Sequence, residues 1–334
     1  MDVSVIIVNY NTTTHLKNCL DSLLSFTSKY LFEVIVVDNN SPNRDIESIQ
    51  ECYPKVRFLF RDINDGFGSG CNYGSRYAEG KYLLFVNPDI IFLDNIYNDL
   101  FQIIEKNSSV DVISPIYVED DGTKTYTYDK FPGYNWNISE AFGNVFSRLG
   151  SKFFPNQEPE KRNPFEVDWV MGSCIFIRSL VFRHVKGFDE TFFLYYEDID
   201  LQYRIKRLGY KIFYNPLTSV KHIKRVSVRT FNGENLYYYH MTRSNLIYMY
   251  KHYSFFKRNL IRVLHLVGIA IRVFTLPFRK IYSSKRKQKL KQYKTKFKQF
   301  LSSKDSIYKK KYVKINLEDV KRSQIVYHDK FWQR

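Results

Sequence analysis

The chain has 334 residues, of which 44% are hydrophobic and 17% aromatic. This is enough for the core of one large α/β domain with an appendage, or for two modest domains. Its four cysteines have no close-paired spacing, which argues against a zinc site or a disulfide framework and suits a reducing compartment. The net charge of +17 lies at one end, because residues 251–334 contain 24 Lys and Arg but only 4 Asp and Glu.

The first 115 residues alternate between strand and helix patterns. An apolar strand comes first, with no basic leader before it, so export is not expected. Leucines at helical spacing follow that strand, and the alternation then repeats. Short apolar strands separated by helices predict an α/β fold whose sheet is doubly wound and mostly parallel, with helices on both faces. The predicted strands are Val3–Val8, Val34–Val37, Val56–Phe60, Tyr82–Val86 and Val110–Ile113.

Acidic side chains follow two of these strands, with Asp38 after the second and Asp89 after the fourth. In such sheets, ligands bind outside the carboxyl ends of the strands. Further along, Glu197 and Asp198 stand among aromatic residues that should otherwise be core, where an uncompensated carboxylate is costly. His222 closes another short strand pattern. Acids at the ends of α/β elements and a later histidine indicate a metal-assisted active site.

Residues 115–165 break the alternation, because they are rich in Asp, Gly, Asn, Pro and aromatic residues. We expect an irregular insertion beside the site, suited to contacting a partner molecule. The regular pattern resumes with a strand at Cys174–Arg178 and a helix from about Glu197 to Leu208. Gly209 then occupies the usual stop position of a helix.

Residues 254–282 predict an amphipathic helix, with Arg258, Arg262, His265 and Arg272 near one face. Titratable residues inside the apolar stretch argue against a membrane-spanning helix and favour one that lies in the membrane plane. A lysine-rich run follows from 285 to 298. We therefore expect residues 251–334 to form a basic, partly amphipathic helical extension that meets an anionic membrane surface through residues 254–298.

Five segments together resemble a known family. They are SVIIVNYN, VVDNNS, NDGFGSGCNYG, LLFVNPD and GFDETFFLYYEDIDLQYRIKRLGY. In this order they are similar to family 2 glycosyltransferases, and especially to the bacterial rhamnosyltransferase-like branch, over about residues 3–250. The resemblance implies a GT-A fold, with a nucleotide-sugar-binding half at 1–115 and an acceptor and catalytic half at 116–250.

The resemblance also implies donor-binding residues. Asp38 would accept the N3–H of a uracil or thymine ring, with Val8 and Tyr10 lining the base pocket, because a carboxylate is only an acceptor. The alternative is that Asp38 belongs to a turn and helix cap. The glycine-rich segment opens a helix, and close backbone approach to a diphosphate would need its glycines. Further donor contacts are expected at Asn64, Gly66, Asn72 and Asn87.

Asn87-Pro88-Asp89 stands where the family usually carries an Asp-any-Asp motif. Asn87 replaces the first acid, so it can bind the sugar or ribose but supplies no charge. By resemblance, Asp89 would be the direct metal ligand and His222 a second one. Hard oxygen ligands suit Mg²⁺ or Mn²⁺. The alternatives are a strand-ending turn for Asp89 and a structural role for His222.

Glu197-Asp198 matches the family's Glu-Asp motif at the start of a helix. Asp198 is assigned as the general base, with Glu197 as the alternative. Acids in the first turn also satisfy the helix dipole, which is the structural explanation. The preceding aromatic run suggests a partly dry pocket, which would raise a carboxyl pKa. Trp169, Met171 and Gly172 match the stretch that usually shapes the acceptor pocket.

These residues predict an inverting, metal-dependent glycosyltransferase of cell-surface polysaccharide synthesis. By a single displacement it would move a sugar, rhamnose included, from a UDP- or dTDP-linked donor to a saccharide or lipid-linked saccharide. We expect it in the cytoplasm, peripheral on the inner face of the cell membrane. The sequence leaves open whether the C-terminal helices form a homodimer.

Two other classes of protein compete with this prediction. A nucleic-acid-binding protein could act through the basic tail, but the body is acidic and has no recognised module, so no nucleic-acid partner is expected. A sugar nucleotidylyltransferase would show a glycine-, arginine- and lysine-rich loop after the first strand. The chain has Val8-Asn9-Tyr10-Asn11 there.

Overall fold

The computed structural model describes residues 1–43, 45–119, 121–142, 163–223, 234–278, 282–302 and 307. The strands up to residue 118 are β1 (Val3–Asn9), β2 (Phe32–Asp38), β3 (Val56–Phe60), β4 (Tyr82–Val86), β5 (Ile90–Phe92) and β6 (Val112–Val118). The later strands are β7 (Lys124–Thr125), β8 (Tyr128–Asp129), β9 (Phe165–Val167), β10 (Trp169–Val170), β11 (Cys174–Arg178) and β12 (Ile212–His222).

The central sheet has the strand order β3-β2-β1-β4-β11-β6-β12-β5, with β7 beside β6 and β9 beside β12. Strands β1, β2, β3, β4, β6 and β12 run in one direction, whereas β5, β7, β9 and β11 run in the other. Strands β8 and β10 form a separate pair. This confirms the predicted α/β fold with a mostly parallel sheet. The carboxyl ends of β1, β2, β4 and β12 consequently meet at one edge of it.

All five strands predicted in the first 115 residues are present, but the fifth was placed too early. It begins at Val112 and continues to Val118, through Pro115. The reason is pairing with β12, in which Pro115 is opposite Asn215, and apolar periodicity does not reveal a partner that far along the chain.

Helices cover both faces of the sheet, as predicted. The helices before residue 143 are α1 (Thr13–Leu24), α2 (Asp45–Cys52), α3 (Phe67–Ser75), α4 (Ile96–Lys106) and α5 (Tyr134–Phe142). Next come α6 (Ser179–His184) and α7 (Glu197–Arg207), and Gly209 follows α7 with a φ of +88°. Alternate residues of β1 explain the two covered faces, because Val5 and Ile7 pack into one core and Ile6 and Val8 into the other.

The remaining helices are α8 (Glu234–His252), α9 (Phe255–Thr275) and α10 (Ser283–Leu301), with a 3₁₀ turn at Leu276–Phe278. They form a third core that also includes Phe192, Tyr196 and Ile199 from the region of α7. The helical character expected of the extension is therefore found up to Leu301, while residues 303–306 and 308–334 lie outside the described residues. The two predicted boundaries, after residue 115 and after residue 250, fall inside β6 and α8. The division of the chain at those positions stays a prediction.

The predicted irregular insertion at 115–165 is only partly described, because residues 143–162 lie outside the described residues. Its described part contains the end of β6, the short strands β7, β8 and β9, and the helix α5. The prediction of an irregular segment was wrong for α5. That helix packs against α9, a partner more than 100 residues away in the chain.

The basic side chains of α9 do lie near one face, but that face points into the protein. Arg262 donates to the carbonyl oxygens of Phe300 and Ser302, and Arg272 donates to that of Glu140. The expectation that residues 254–298 meet an anionic membrane surface therefore does not hold for Arg262 and Arg272, because their guanidinium groups bind backbone carbonyls of the protein itself.

The opposite face of α9, together with Phe278 of the 3₁₀ turn that follows it, is apolar and exposed. We call it the apolar stripe, and it consists of Phe256, Leu260, Val263, Val267, Ile271, Phe274 and Phe278, each at least 42% exposed. In the described part of the chain, one segment, Phe255–Phe278, is long and apolar enough to cross a membrane. Its inward face is nevertheless bonded to α5 and to the end of α10, and a spanning position would break those contacts.

Candidate active site

A cavity of about 510 Å³ lies at the carboxyl ends of the parallel strands, between the sheet and α8. Twelve of the fourteen predicted site residues line it, although they come from distant parts of the chain. They are Val8, Tyr10, Asn64, Gly66, Asn87, Asp89, Trp169, Met171, Gly172, Glu197, Asp198 and His222. The two that do not line it are Asp38 and Asn72.

Asp89 and His222 meet at one end of the cavity. The carboxylate Oδ1 of Asp89 is buried without a hydrogen-bond partner among the described residues, and Nε2 of His222 lies 3.3 Å from it. The backbone fixes this pair, because β5 and β12 place Ile90 opposite His222 and Ile223 N–H donates to the Asp89 carbonyl. An orphaned carboxylate oxygen beside an imidazole nitrogen fits a shared divalent cation.

Two side chains are too few for a complete metal cage. Among the residues that the structure describes, no group of three His, Cys, Asp or Glu side chains could hold a metal. The residues fit a site in which a substrate diphosphate and water supply the other ligands, as is usual for Mg²⁺ beside phosphates. Asn87, the neighbouring residue of the same turn, lines the cavity as well.

Asp198 stands at the start of α7 and is held by two backbone donors. Its Oδ2 accepts from Gly172 N–H at 2.8 Å, and its Oδ1 accepts from Ile199 N–H at 2.9 Å. Burial raises the pKa of Asp198, while the N–H groups of Gly172 and Ile199 oppose that shift. The residue therefore combines a dry setting with donors that favour the charged carboxylate, as a general base requires.

The neighbouring acid, Glu197, is in a different situation. It is buried, and its Oε2 has no hydrogen-bond partner among the described residues. Burial, and then the charge of Asp198, raise the pKa of Glu197 well above its usual range. Burial raises the pKa of both adjacent acids, but the N–H groups of Gly172 and Ile199 favour the charged form of Asp198, whereas Glu197 Oε2 has no hydrogen-bond partner among the described residues. This favours Asp198 over Glu197 as the base.

The backbone before this pair is strained. Tyr195 and Tyr196 have φ values of 68° and 66°, a left-handed conformation that costs residues with a side chain about 1–3 kcal/mol each. Helix α8 helps to hold them, because Ser244 Oγ donates to the Leu194 carbonyl at 2.8 Å and the Tyr237 ring packs edge-on against Tyr195. Glu197 and Asp198 directly follow this strained turn, and both line the cavity.

A buried charge network lies behind α7. Asp200 is fully buried and accepts from Arg204 Nε at 2.8 Å, Lys251 Nζ at 2.6 Å and His252 Nε2 at 2.7 Å. Lys251 also binds Asp189 at 2.5 Å. Burial alone would raise the pKa of Asp200, but His252, Arg204 and Lys251 outweigh it and hold the pKa well below its usual range. The network joins α7 to the end of α8.

Asp38 and Asn72 are engaged by the protein itself. Asp38 is buried, and it accepts from Asn9 Nδ2 at 2.7 Å and from Ser41 Oγ at 2.6 Å. Asn72 donates to the Phe188 carbonyl and accepts from Phe188 N–H, which ties α3 to the loop before α7. The structure brings neither to the cavity wall. The contacts of Asp38 are those of a turn, which was the alternative to nucleotide binding.

The glycine-rich segment mostly makes room for protein atoms. A Cβ on Gly74 would lie 2.7 Å from Ile6, and one on Gly70 would lie 2.7 Å from Val8. Gly66 does line the cavity, with a φ of +110°, but a Cβ there would lie 2.2 Å from the Phe193 carbonyl. We expected these glycines to let a diphosphate approach the backbone. Gly70 and Gly74 instead make room for side chains of β1. They allow α3 to pack closely on β1.

Among the cavity residues that the sequence did not predict are Trp136, Tyr237 and Met241. Trp136 belongs to the aromatic-rich segment expected to contact a partner, and that composition was the available signal. Tyr237 and Met241 lie on α8, whose amphipathic pattern is weak. No motif marks them, because only the folding of α8 over the sheet brings them to the cavity.

The sheet topology and the acids at its strand ends define the class of GT-A glycosyltransferases. The family model "Glycosyl transferase family 2" matches residues 4–185, which is more than half of the chain. The chain belongs to glycosyl transferase family 2.

Curated relatives are similar to this chain over most of its length. An N-acetylglucosaminyl-diphospho-decaprenol L-rhamnosyltransferase of Mycobacterium tuberculosis is 26% identical over 270 residues, covering 75% of this chain and 84% of the relative. Rhamnosyltransferase WbbL of Escherichia coli is 26% identical over 237 residues, covering 69% of this chain and 86% of the relative. A crystal structure of GalNAc-T7 with UDP, GalNAc and Mn²⁺ is similar in fold, with a TM-score of 0.53 and 20% identity. It covers 67% of this chain and 43% of that one.

Proposed function

We propose that the protein is an inverting glycosyltransferase that transfers a sugar from a UDP- or dTDP-linked donor to a saccharide acceptor in cell-surface polysaccharide synthesis. One observation supports this most. A single cavity at the strand ends contains Asp89, whose Oδ1 has no hydrogen-bond partner among the described residues, beside His222. It also contains Asp198, a half-buried acid that accepts from the backbone N–H groups of Gly172 and Ile199. Relatives named as rhamnosyltransferases make rhamnose the first donor sugar to test.

On the donor side, Asp89 and His222 would hold Mg²⁺ or Mn²⁺, and Asn87 would contact the sugar or ribose. When bound, the ion supplies positive charge that stabilises a departing diphosphate. The fold neighbour with UDP and Mn²⁺ supports such a site in this fold. Val8, Tyr10, Asn64 and Gly66 line the rest of this end and are proposed to bind the nucleotide. Asp38 and Asn72 would act indirectly, by fixing the loops around it.

On the acceptor side, Asp198 removes the proton of an acceptor hydroxyl, and the hydroxyl oxygen forms its bond to the anomeric carbon. The bond from that carbon to the diphosphate oxygen breaks on the opposite face, so the configuration inverts. Trp169, Met171 and Gly172 would shape the pocket for this acceptor. No enzyme nucleophile is needed, because the proton goes to Asp198 and the electron pair leaves with the diphosphate.

The direct test is a screen of nucleotide sugars for metal-dependent release of the nucleoside diphosphate. We expect turnover with a UDP- or dTDP-linked sugar in Mg²⁺ or Mn²⁺, and loss of that turnover in excess chelator. Release at the same rate in chelator would contradict the metal-assisted mechanism. No release from any donor, with or without lipid-linked and free saccharides, would contradict the transferase.

We further propose that the enzyme works at the inner face of the cell membrane, docked through α9 and α10 on anionic lipid. The apolar stripe can enter the headgroup boundary, while the exposed Lys287, Lys291 and Lys294 of α10 can meet anionic headgroups. Each such lysine is worth about 1 kcal/mol near the surface. A relative that acts on a decaprenol-linked sugar supports a lipid-linked acceptor.

Vesicle sedimentation tests the docking. We expect the double variant Phe274→Ser/Phe278→Ser to lose binding to anionic vesicles, because both rings are at least 75% exposed on the stripe. Leu180→Ser is the matched control, since Leu180 is 78% exposed but lies on α6. Binding should weaken with salt. If the double variant binds as well as the wild type, the docking surface is wrong. A change in oligomeric state would instead assign the stripe to a second copy.

A further inference from the structure

The cavity has two chemically different ends. One end is polar and lies at the carboxyl ends of β1, β4 and β12, where Asn87, Asp89 and His222 stand. The other end is aromatic and is lined by Trp136 from α5, Trp169 from β10, and Tyr237 and Met241 from α8. The aromatic end thus consists of side chains from α5, β10 and α8, which differ in chemistry from those of the polar end.

The catalytic acid stands where the two ends meet. Gly172 bonds to Asp198, and the next residue, Ser173, accepts from the backbone N–H of Asn87 at 2.9 Å. Trp169 lies three residues before Gly172 on the same segment, so the aromatic end begins directly beside Asp198. A molecule that gives its proton to Asp198 would therefore extend over the aromatic side chains.

The two tryptophans of this end offer their rings, and Tyr237 adds one hydroxyl group. The indole N–H of Trp169 already donates to the Lys130 carbonyl at 3.0 Å. Trp136 and Trp169 pack edge to face with centroids 6.2 Å apart, which fixes both rings. Apart from Glu197 and Asp198, the described residues of this end carry no charge. A surface of fixed, uncharged aromatic rings suits an uncharged ligand with an apolar C–H face, as a pyranose ring has.

Helix α5 is held in place by its contacts with α9. A Cβ on Gly268 would lie 2.2 Å from the Ala141 carbonyl, so the two helices approach as closely as their backbones permit. Asn137, the residue after Trp136, hydrogen-bonds His265 at 3.3 Å. The helix that presents Trp136 to the cavity is thus the one on which the helix of the apolar stripe packs.

We propose that Trp136, Tyr237 and Met241 form, with Trp169, the subsite for the pyranose ring of the acceptor. This inference rests on the proposed function and adds the chemical class that the subsite takes, an uncharged sugar ring bound by stacking. The neighbouring α9 would keep the subsite close to the lipid surface, where a lipid-linked saccharide is available.

The test uses the full chain and methyl pyranosides, which have no alkyl tail to bind the apolar stripe. Saturation-transfer NMR should detect neutral methyl pyranosides on the wild type in the presence of UDP and the diamagnetic ion Mg²⁺. Trp136→Ala should lose at least tenfold in this binding, and Trp136→Phe should recover part of it. Tyr134→Ala is the matched control, because Tyr134 is on the same helix but does not line the cavity. Unchanged pyranoside binding by Trp136→Ala would overturn the subsite.

A second measurement separates this proposal from the proposed function. Trp136→Ala should bind UDP with Mn²⁺ as the wild type does, while its acceptor KM rises at least tenfold. Tyr237→Ala provides an independent variant if Trp136→Ala does not fold. Pyranoside binding that persists in both variants would overturn the subsite even if the enzyme transfers sugars. Absence of any transfer would contradict the proposed function, yet ring-dependent pyranoside binding would still support the subsite.

Discussion

Gly172 and Asp198 are in a contact that only glycine permits. The carboxylate accepts the Gly172 N–H at 2.8 Å, and a Cβ on residue 172 would lie 2.7 Å from the Asp198 Cβ and 2.9 Å from its Oδ2. The pair is separated by 26 residues and links the segment after β10 to the first turn of α7. The position and the charge of the proposed base therefore depend on one glycine.

Gly172→Ala should lower turnover about 100-fold, because the new methyl group must displace the Asp198 carboxylate, and misplacement of about 1 Å can cost that much. Donor binding should remain near normal, since the polar end of the cavity is unchanged. Steady-state kinetics and calorimetric titration with UDP give the two values. Gly133→Ala is the control, as a Cβ there would meet nothing nearer than 3.8 Å. Normal turnover of Gly172→Ala would contradict the role of this contact.

Asp198→Asn should lower turnover by roughly 100-fold or more, the range expected when general base catalysis is lost. It should still bind the nucleotide, because Asp198 is not among the residues proposed to bind the donor. Glu197→Gln should keep most of its activity, since burial raises the pKa of Glu197 and so disfavours the charged form that a base needs. An inactive Glu197→Gln beside an active Asp198→Asn would assign the base to Glu197.

Asp89→Ala should abolish metal-dependent turnover and weaken Mn²⁺ binding in the presence of UDP. His222→Ala should weaken that binding about tenfold or more, because it removes one of the two proposed side-chain ligands. Electron paramagnetic resonance of Mn²⁺ measures both without relying on activity. Asp62→Ala is the control, since Asp62 is exposed and away from the cavity. Wild-type Mn²⁺ affinity in Asp89→Ala would exclude Asp89 as a ligand.

Lys251→Met should destabilise the protein by about 2 kcal/mol, because it removes charged hydrogen bonds from the buried Asp200 and from Asp189. Urea unfolding measures this. Lys206→Met is a matched control: the two lysine side chains are equally exposed, at 21%. Lys206 pairs with the more exposed Glu166, so its loss should cost under about 1 kcal/mol.

Lys251→Met should also lower turnover more than it lowers donor affinity, because Asp200 is two residues from Asp198 on the same helix. Lys251→Arg, which keeps the charge, should restore part of both losses. Equal effects of Lys251→Met and Lys206→Met on stability and turnover would show that the buried network does not position α7.

Acid should destabilise the C-terminal helices between about pH 6.5 and pH 4. Burial lowers the pKa of His265 to about 4, whereas an unfolded histidine titrates near 6.5. In this window the unfolded state binds more protons, so stability falls as the pH falls, by about 3 kcal/mol in total for this histidine. His265→Gln should have a shallower slope of unfolding free energy against pH. An identical slope would contradict the assignment.

The sequence by itself determined most of the sheet and most of the site. Apolar runs such as Tyr82–Val86 form buried strands because both faces of the sheet are covered, and acids that follow parallel strands must meet at one edge. This is why Asp89 and His222, 133 residues apart in the chain, could be assigned to one site before the fold was known. The resemblance supplied the roles of the residues, and the strand ends supplied their proximity.

The tertiary structure decided which face of each element is used. Sequence spacing grouped Arg262 and Arg272 on one side of α9, but only the carbonyls of Phe300 and Glu140 show that this side points inward. Asp38 was assigned to a nucleotide, yet Ser41 and Asn9 take its carboxylate. Trp136 and Tyr237 reach the cavity only because α5 and α8 fold over it. Periodicity states which residues share a face, and contacts with partners distant in the chain decide what that face meets.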